Sequence, residues 1–167
     1  MQHQDGNSHI TANLIPNCRS YDPTFGYELA VIIHDGLVRM YQKQEECFYY
    51  ITVMNEKYQH PAMPEDAREG ILKGMYLFKH ADQEKKYTAQ LLGCGAILNE
   101  VIKAAQVLES NYDVGVNIWS VTSFNELYRD GIEVNRWNML HPHENQKKAY
   151  ATECLDDTES PVIATTD

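Results

Sequence analysis

The amino-acid sequence predicts an α/β fold built from two strand–helix–strand units. In the first unit, apolar residues recur every three or four positions between residues 25 and 41, and an unbroken apolar run follows at 47–53. The second unit repeats this order between residues 88 and 121. Apolar strands on either side of an amphipathic helix are typical of mainly parallel sheets flanked by helices, so we expect two such sheets.

The composition excludes several classes of protein. The 167 residues carry 14 Lys and Arg against 24 Asp and Glu, a net charge of −10, and 43% are hydrophobic, which is too apolar for a disordered acidic tail. Clustered cations are confined to residues 85–86 and 147–148, so we expect no nucleic-acid partner. No apolar stretch approaches the ~20 residues of a membrane span, and the first residues lack a signal-peptide pattern. We therefore expect no membrane association and a cytoplasmic location.

The four cysteines are predicted to be reduced and structural. Cys18, Cys47, Cys94 and Cys154 lie far apart among apolar or strand-like neighbours, and no Cys-x-x-Cys pair is present. This spacing favours buried thiols over a disulfide framework or a zinc site. We accordingly predict no metal site built from this chain.

The first unit follows a polar segment. Residues 1–14 show neither a helical nor a strand period and are expected to form a loop, whereas residues 15–21 predict a short strand. Asp22 can act as an N-cap and Pro23 fits the first helical position, so the long helix is predicted to begin there. The run at 47–53 predicts a strand covered on both faces.

A linker is predicted between the two units. Two prolines and weak periodicity follow residue 55, and Pro64 begins a weaker helix or turn that ends near Lys73. We place the linker at residues 61–80, with one domain at 1–60 and the other at 81–167.

The second unit is predicted in more detail. Ser123 and Glu126 match a capping box that opens a short helix. Residues 131–152 are expected to be irregular. Because the chain begins in a loop and ends at a strand, both sheets are expected to be incomplete, as in a piece of a longer polypeptide. The remaining elements are three strands and one helix, predicted at 88–93, 114–121, 161–164 and 97–108.

The densest polar cluster lies near the beginning of the chain and contains His3, Asp5, Ser8 and His9. Loops beside strands often bind ligands in α/β proteins. From composition alone, a solvated loop explains the cluster better than a ligand-binding loop does. A metal site is the third alternative, since two imidazoles and a carboxylate are enough ligands in number.

Three other motifs have structural explanations. The Gly-Cys-Gly sequence at 93–95 is similar to the beginning of a dinucleotide-binding turn, but Leu98 replaces the third glycine, so a tight strand-to-helix turn is predicted. The His-Asp pair at 34–35 fits a hydrogen-bonded pair within a helix. The His-Pro-His sequence at 141–143 lacks a third metal ligand and is expected at the surface.

Motifs along the whole chain occur in the order seen in a known enzyme family. The specific ones are the opening segment, Gln2 to Ile10, and the run Trp-Asn-Met-Leu-His-Pro at 137–142. Further matching stretches lie at 15–23, 34–41, 49–52, 55–64, 120–124 and 129–131. On these motifs the chain resembles the homodimeric bacterial pyruvate dehydrogenase decarboxylase components, which are transketolase-like thiamine diphosphate enzymes.

The resemblance implies a fold, cofactors and partners. Residues 1–60 would form the back half of a pyrimidine-binding domain, and residues 81–167 the front part of a transketolase-like C-terminal domain. The implied cofactors are thiamine diphosphate and Mg²⁺, with ligands outside this chain because residues 4–6 do not match the family's Gly-Asp-Gly fingerprint. The implied partners are a second copy in a homodimer, the lipoyl-bearing acetyltransferase core, and pyruvate.

The resemblance also assigns site residues. His9 corresponds to the loop histidine that faces the substrate, where an imidazole can form hydrogen bonds and transfer a proton near neutral pH. His9 and Asp5 are the implied catalytic residues. His9, Ser8 and His3 are the implied substrate-binding residues.

The implied activity is decarboxylation of pyruvate followed by reductive acetylation of lipoamide. Half of the coenzyme pocket would lie outside the chain, so the chain alone is expected to be inactive. Gln4 and Asn7 depart from the family's usual Glu and His. A noncatalytic interaction module is one alternative, and a related transketolase-like enzyme acting on another 2-oxo acid is the second.

Overall fold

The computed structural model describes residues 6–82, 84–156 and 159–166, so the predictions for His3 and Asp5 lie outside the described residues. In the described ranges the helices are α1 (Ser8–Asn13), α2 (Gly26–Leu37, continued by a π-helical turn at Val38–Gln42), α3 (Ala67–Lys73), α4 (Ile97–Asn111), α5 (Phe124–Leu140) and α6 (Tyr150–Leu155). The strands in the same ranges are β1 (Cys18–Tyr21), β2 (Phe48–Ile51), β3 (Met75–Lys79), β4 (Tyr87–Gly93), β5 (Val114–Val121) and β6 (Val162–Thr165).

The strands form two sheets, and the predicted α/β architecture is confirmed. Strands β1 and β2 pair in parallel. The second sheet has the order β3-β5-β4-β6, in which β4 is parallel to both of its neighbours and β3 runs antiparallel to β5. Parallel strands place their carboxyl ends at one edge of a sheet, which is where α/β proteins usually bind ligands.

The beginning of the chain differs from its prediction. Residues 8–13 form α1 rather than a loop, and Ala12 on this helix is buried. Helix α2 begins at Gly26 rather than at Pro23. The reason is that the Glu28 carboxylate accepts hydrogen bonds from the backbone N–H groups of Thr24 and Phe25, and so satisfies donors at the helix start. The predicted N-cap role of Asp22 is therefore wrong.

Strand β2 lies where it was predicted, but it is not covered on both faces. Phe48 is exposed and residues 49–51 are only half-buried. Within the described residues β2 pairs with β1 alone, so it is the edge of a sheet, whereas burial on both faces is a property of central strands.

The range predicted as a linker contains regular structure. The weak helix predicted from Pro64 is present as α3, and β3 follows it as the antiparallel edge strand of the second sheet. Gly74 connects the two elements with φ of 111°, and a Cβ there would lie 2.6 Å from the backbone oxygen of Ser123. Only glycine combines that dihedral with that approach. The division of the chain into domains stays a prediction.

The second unit contains the predicted strands β4, β5 and β6 and the predicted helix α4. The predicted cap is also present, since the hydroxyl of Ser123 accepts a hydrogen bond from the backbone N–H of Glu126 at 3.0 Å. The helix that follows is not short, however. Helix α5 has 17 residues, and with α6 it occupies much of the range expected to be irregular, residues 131–152.

The core connects the two units. Phe25, at the start of α2, packs in one cluster with Leu91 of β4 and Leu98 of α4. No disulfide joins the four cysteines; Cys18 and Cys94 are buried and the other two are half-buried. None of the helices in the described ranges is long and apolar enough to cross a membrane.

Candidate functional site

The carboxyl ends of strands from both sheets meet at Asp22. Its backbone N–H, directly after β1, donates to the carbonyl of Thr122 directly after β5, at 2.7 Å. Its carbonyl accepts from the N–H of Gly95 after β4, at 3.2 Å. Thr52 follows the paired strand β2 and donates its N–H to the carbonyl of Tyr21 at 3.0 Å. Four strand ends thereby surround one small region.

His9 lies over this region. Its side chain is half-buried, and Nε2 lies 2.9 Å from the hydroxyl oxygen of Thr52. The rings of His9 and Tyr50 make an edge-to-face contact, with their centroids 5.4 Å apart. Helix α1 therefore brings the imidazole predicted to face the substrate to the edge where a ligand is expected.

Thr52 connects His9 to a carboxylate. Its hydroxyl donates to Oδ1 of Asp22 at 2.6 Å. The three side chains form a continuous series from imidazole to hydroxyl to carboxylate. A histidine held by a hydrogen bond at one ring nitrogen has a defined orientation, which is a common requirement for acid–base chemistry.

Asn125 fixes the backbone of His9. Its Nδ2 donates to the carbonyl of His9 at 2.7 Å and to the hydroxyl of Ser20 at 2.5 Å. Ser123 adds a second connection, because its hydroxyl donates to the carbonyl of Ser20 at 2.6 Å. The beginning of α5 thus joins α1 to β1, and His9 is held through both its side chain and its main chain.

The structure brings only part of the predicted site together. His9 is at the strand ends, and Ser8 lies beside it in α1 and is half-buried. The predicted catalytic role of Asp5 and the predicted substrate contact of His3 concern residues outside the described ranges. For His9 and Ser8 those roles stay predictions.

Sequence reasoning missed three residues that hold His9: Thr52, Asp22 and Asn125. Asp22 was assigned to a helix cap, Thr52 stands within an apolar strand run, and Asn125 lies inside the capping pattern that begins at Ser123. A usable signal was present in two of these cases. Polar residues directly after predicted parallel strands, such as Asp22 and Thr52, are expected to meet at the same sheet edge.

The Gly-Cys-Gly turn at 93–95 is the tight turn that was predicted. Gly95 has φ of 48°, and a Cβ there would lie 2.5 Å from Oδ2 of Asp22. A Cβ on Gly93 would lie 2.9 Å from the side chain of Val101 on α4. The two glycines therefore allow close packing against Asp22 and α4, whereas Cys94 between them is buried in a separate cluster with Leu92 and Trp119.

The two other histidine motifs also have structural surroundings. His34 and Asp35 do not pair as predicted: Nδ1 of His34 lies 3.0 Å from the Arg68 guanidinium, and Asp35 accepts from the Tyr49 hydroxyl at 2.6 Å. Neighbours in a helix point in different directions, which explains the difference. The 141–143 motif is at the surface, where the His141 ring stacks on Trp137. Across the described ranges, no group of three or more His, Cys, Asp or Glu side chains could hold a metal ion.

The comparisons with known proteins agree with the architecture. Residues 1–61 match the model of the pyruvate dehydrogenase E1 component middle domain, and residues 74–167 match that of the transketolase-like C-terminal domain. A Pseudomonas aeruginosa protein named pyruvate dehydrogenase E1 component is 55% identical over 167 residues, and the Escherichia coli K12 protein of the same name is 52% identical over 168. Both alignments cover 100% of this chain and 19% of the relative.

A transketolase variant from Pichia stipitis has the same fold, with a TM-score of 0.61 at 14% identity over 98% of this chain and 20% of that chain. The chain spans about a fifth of the length of the curated relatives it matches. The first of the two family models matches the first part of the chain, and the second matches the later part. The chain therefore belongs to the transketolase-like family of the pyruvate dehydrogenase E1 components.

Proposed function

We propose that this chain forms part of a thiamine diphosphate-dependent pyruvate dehydrogenase (acetyl-transferring), in which it contributes one wall of the substrate pocket. The observation that carries the proposal is His9, held by Thr52 and Asn125 at the edge where strand ends of both sheets meet. The relatives that share about half of its sequence along the entire chain support the same assignment.

The proposed role of His9 is to bind the substrate and to transfer a proton to or from it. Pyruvate has a carboxylate and a carbonyl oxygen, and an imidazole can donate a hydrogen bond to either one. Near neutral pH it can also give a proton to a developing alkoxide or take one from a hydroxyl. Thiamine diphosphate supplies the carbanion chemistry of the decarboxylation when it is bound. Ser8, His3 and Asp5 are proposed to complete the substrate contacts.

The described residues do not fit the Mg²⁺ that accompanies the coenzyme, because they form no cluster of metal ligands. We therefore assign no metal contact to the described residues and propose that the diphosphate and its metal are bound by other polypeptide. The chain alone is accordingly proposed to be inactive. A second copy in a homodimer, the lipoyl-bearing acetyltransferase core and a cytoplasmic location complete the proposal.

A chimeric enzyme tests this function. The 167-residue segment of the Pseudomonas aeruginosa relative that aligns with this chain is replaced by it, and pyruvate-dependent acetylation of a lipoyl domain is measured. We expect turnover within about tenfold of the unmodified relative, which corresponds to a change of at most about 1.4 kcal/mol in the activation free energy. A chimera that folds and dimerises but does not turn over pyruvate contradicts the proposal. The relative carrying its own segment, recloned in the same way, is the control.

A further inference from the structure

The hydrogen bonds around Thr52 determine which nitrogen of His9 carries a proton. The Thr52 hydroxyl has one hydrogen, and its nearest acceptor is Oδ1 of Asp22 at 2.6 Å. The other acceptor nearby is the carbonyl of Tyr21 at 3.4 Å. An ionised carboxylate and a carbonyl can only accept, so the hydroxyl hydrogen points toward one of them in either case. The oxygen lone pair then remains for His9, whose Nε2 must be the donor.

Asp22 is itself held in place, so the hydrogen bonds run in one direction, from His9 to Thr52 and from Thr52 to Asp22. Its backbone is bonded on both sides, to Thr122 and to Gly95, at 2.7 and 3.2 Å. Its carboxylate occupies the space where a side chain on Gly95 would otherwise lie, with Oδ2 2.5 Å from the position of a Cβ. The carboxylate therefore cannot move toward Gly95 without a backbone change.

Among the described residues, Nδ1 is the nitrogen of the His9 ring that is left without a hydrogen-bond partner. Within residues 6–82, 84–156 and 159–166, no hydrogen-bond partner is found for Nδ1 of His9. Since a neutral imidazole has one donor and one acceptor nitrogen, protonation of Nε2 makes Nδ1 the acceptor. In the imidazolium form Nδ1 becomes a donor instead, while Nε2 keeps its bond to Thr52.

We propose that Thr52 and Asp22 are positioning residues for His9, which they hold with Nε2 protonated and with Nδ1 directed to the substrate. The catalytic consequence rests on the proposed function, whereas the placement of the ring does not. The hydroxyl of Thr52 supplies the contact, and the carboxylate of Asp22 orients that hydroxyl. Neither residue needs to touch the substrate.

Chemical labelling of the chimera tests the placement without using activity. Diethyl pyrocarbonate acylates an imidazole nitrogen that carries no hydrogen, and peptide mass mapping gives a separate rate for each histidine. Nδ1 is the only such nitrogen of His9 while Thr52 holds Nε2 protonated. In the Thr52→Val variant, which keeps the shape but removes the hydroxyl, either nitrogen can lose its hydrogen and the ring is no longer held. Labelling of His9 is therefore expected to rise about 2- to 10-fold, the range that loss of one neutral hydrogen bond permits. Thr52→Ser, which retains the hydroxyl, is expected to stay within about twofold of the parent rate.

Two controls separate placement from unfolding. The exposed His80 and His143 report on global changes, and their rates are expected to stay constant in every variant. Thr88 lies in β4, and its exposed hydroxyl contacts Ser160, which comes just before β6. Thr88→Val removes that hydroxyl and should leave the labelling of His9 unchanged. If Thr52→Val raises labelling at all histidines, Thr52→Ala is measured in its place. Labelling of His9 at the parent rate in the folded hydroxyl-free variant overturns the proposal.

Turnover distinguishes this proposal from the proposed function. If both hold, Thr52→Val lowers kcat for pyruvate more than it raises KM, and Thr52→Ser restores kcat. If His9 labelling responds but turnover does not, the placement stands and the catalytic assignment of His9 is wrong. If the unsubstituted chimera is inactive, the proposed function fails, and the labelling result still decides whether Thr52 holds the imidazole.

Discussion

Glu28 is a carboxylate that lies entirely within the core. Its side chain is 0% exposed, and each of its oxygens accepts two hydrogen bonds. One oxygen accepts from the backbone N–H groups of Thr24 and Phe25, and the other from the hydroxyls of Tyr76 and Ser120 at 2.6 Å. These bonds favour the charged form, but burial has the larger effect and raises the pKa of Glu28 above its ordinary value. The carboxylate is therefore costly to ionise in the folded protein.

A Glu28→Gln substitution makes that cost visible. A carboxyl whose pKa is raised on folding favours the folded state at low pH, and this contribution is lost as the pH rises through the folded-state pKa. Because Gln does not titrate, the free energy of unfolding of Glu28→Gln should improve relative to the parent as the pH rises from about 4.5 toward the folded-state pKa of Glu28, by at most about 1.4 kcal/mol per pH unit. Urea denaturation at several pH values measures this. A difference in unfolding free energy between Glu28→Gln and the parent that stays constant over these pH values would contradict the expectation.

At the scale of elements, the hydroxyl of Ser123 joins the beginning of α5 to strand β1. Ser123 is buried, accepts from the backbone of Glu126 and donates to the carbonyl of Ser20. Replacement by Ala removes a helix cap and leaves a buried carbonyl without its partner. We expect Ser123→Ala to lower the free energy of unfolding by about 1–3 kcal/mol in denaturant titrations.

Ser110→Ala is the matched change on an exposed position near the end of α4, where an effect within about 0.5 kcal/mol is expected. If Ser123→Ala were no more destabilising than Ser110→Ala, the helix start would not depend on this cap.

Sequence patterns predicted those elements whose local signals agree with their surroundings. The apolar runs of β4 and β5 and the capping pattern at Ser123 are signals carried by neighbouring residues, so they could be recognised without knowledge of distant contacts. Helix α5 was underestimated because none of its residues is buried, so no apolar stripe marks its length as it does in α2 and α4. Helix α1 was missed because its first turn has few apolar residues, and its stability comes from contacts such as that of Asn125 with His9. Such long-range hydrogen bonds leave no periodic trace in a sequence.

The same distinction applies to the candidate site. His9 could be assigned only through a resemblance to known enzymes, and its surroundings depend on which strand ends meet. Thr52 and Asp22 are 30 residues apart and adopt their hydrogen bond because β1 and β2 pair in register. Asn125 comes from the second unit. A prediction from sequence alone does not include the order of the strands, so it cannot show that these residues are in contact.

At the scale of the whole molecule, the two sheets meet where Asp22 packs against the turn after β4. Gly95 has a positive φ, and an added Cβ would meet the Asp22 carboxylate at 2.5 Å. Gly95→Ala should therefore lower the free energy of unfolding by about 1–3 kcal/mol, from both backbone strain and displacement of Asp22. It should also raise the labelling of His9, since Thr52 loses its oriented acceptor.

Gly131→Ala is the control for Gly95→Ala. Gly131 lies inside α5 with nothing within 4 Å of an added Cβ, so Ala should stabilise the helix by up to about 1 kcal/mol. Thermal and denaturant unfolding measure both variants. If the two substitutions changed the free energy of unfolding equally, the contact between Gly95 and Asp22 would not stabilise the packing between the two sheets.

The substrate-facing role of His9 is decided by steady-state kinetics of His9→Ala in the chimera. We expect kcat/KM for pyruvate to fall about 10²- to 10⁴-fold, the usual loss for a general acid or base, while the exposed His80→Ala retains the parent value. Circular dichroism and dimerisation confirm that the variant is folded. A folded His9→Ala enzyme that acetylates the lipoyl domain at the parent rate would show that this imidazole has no part in the reaction.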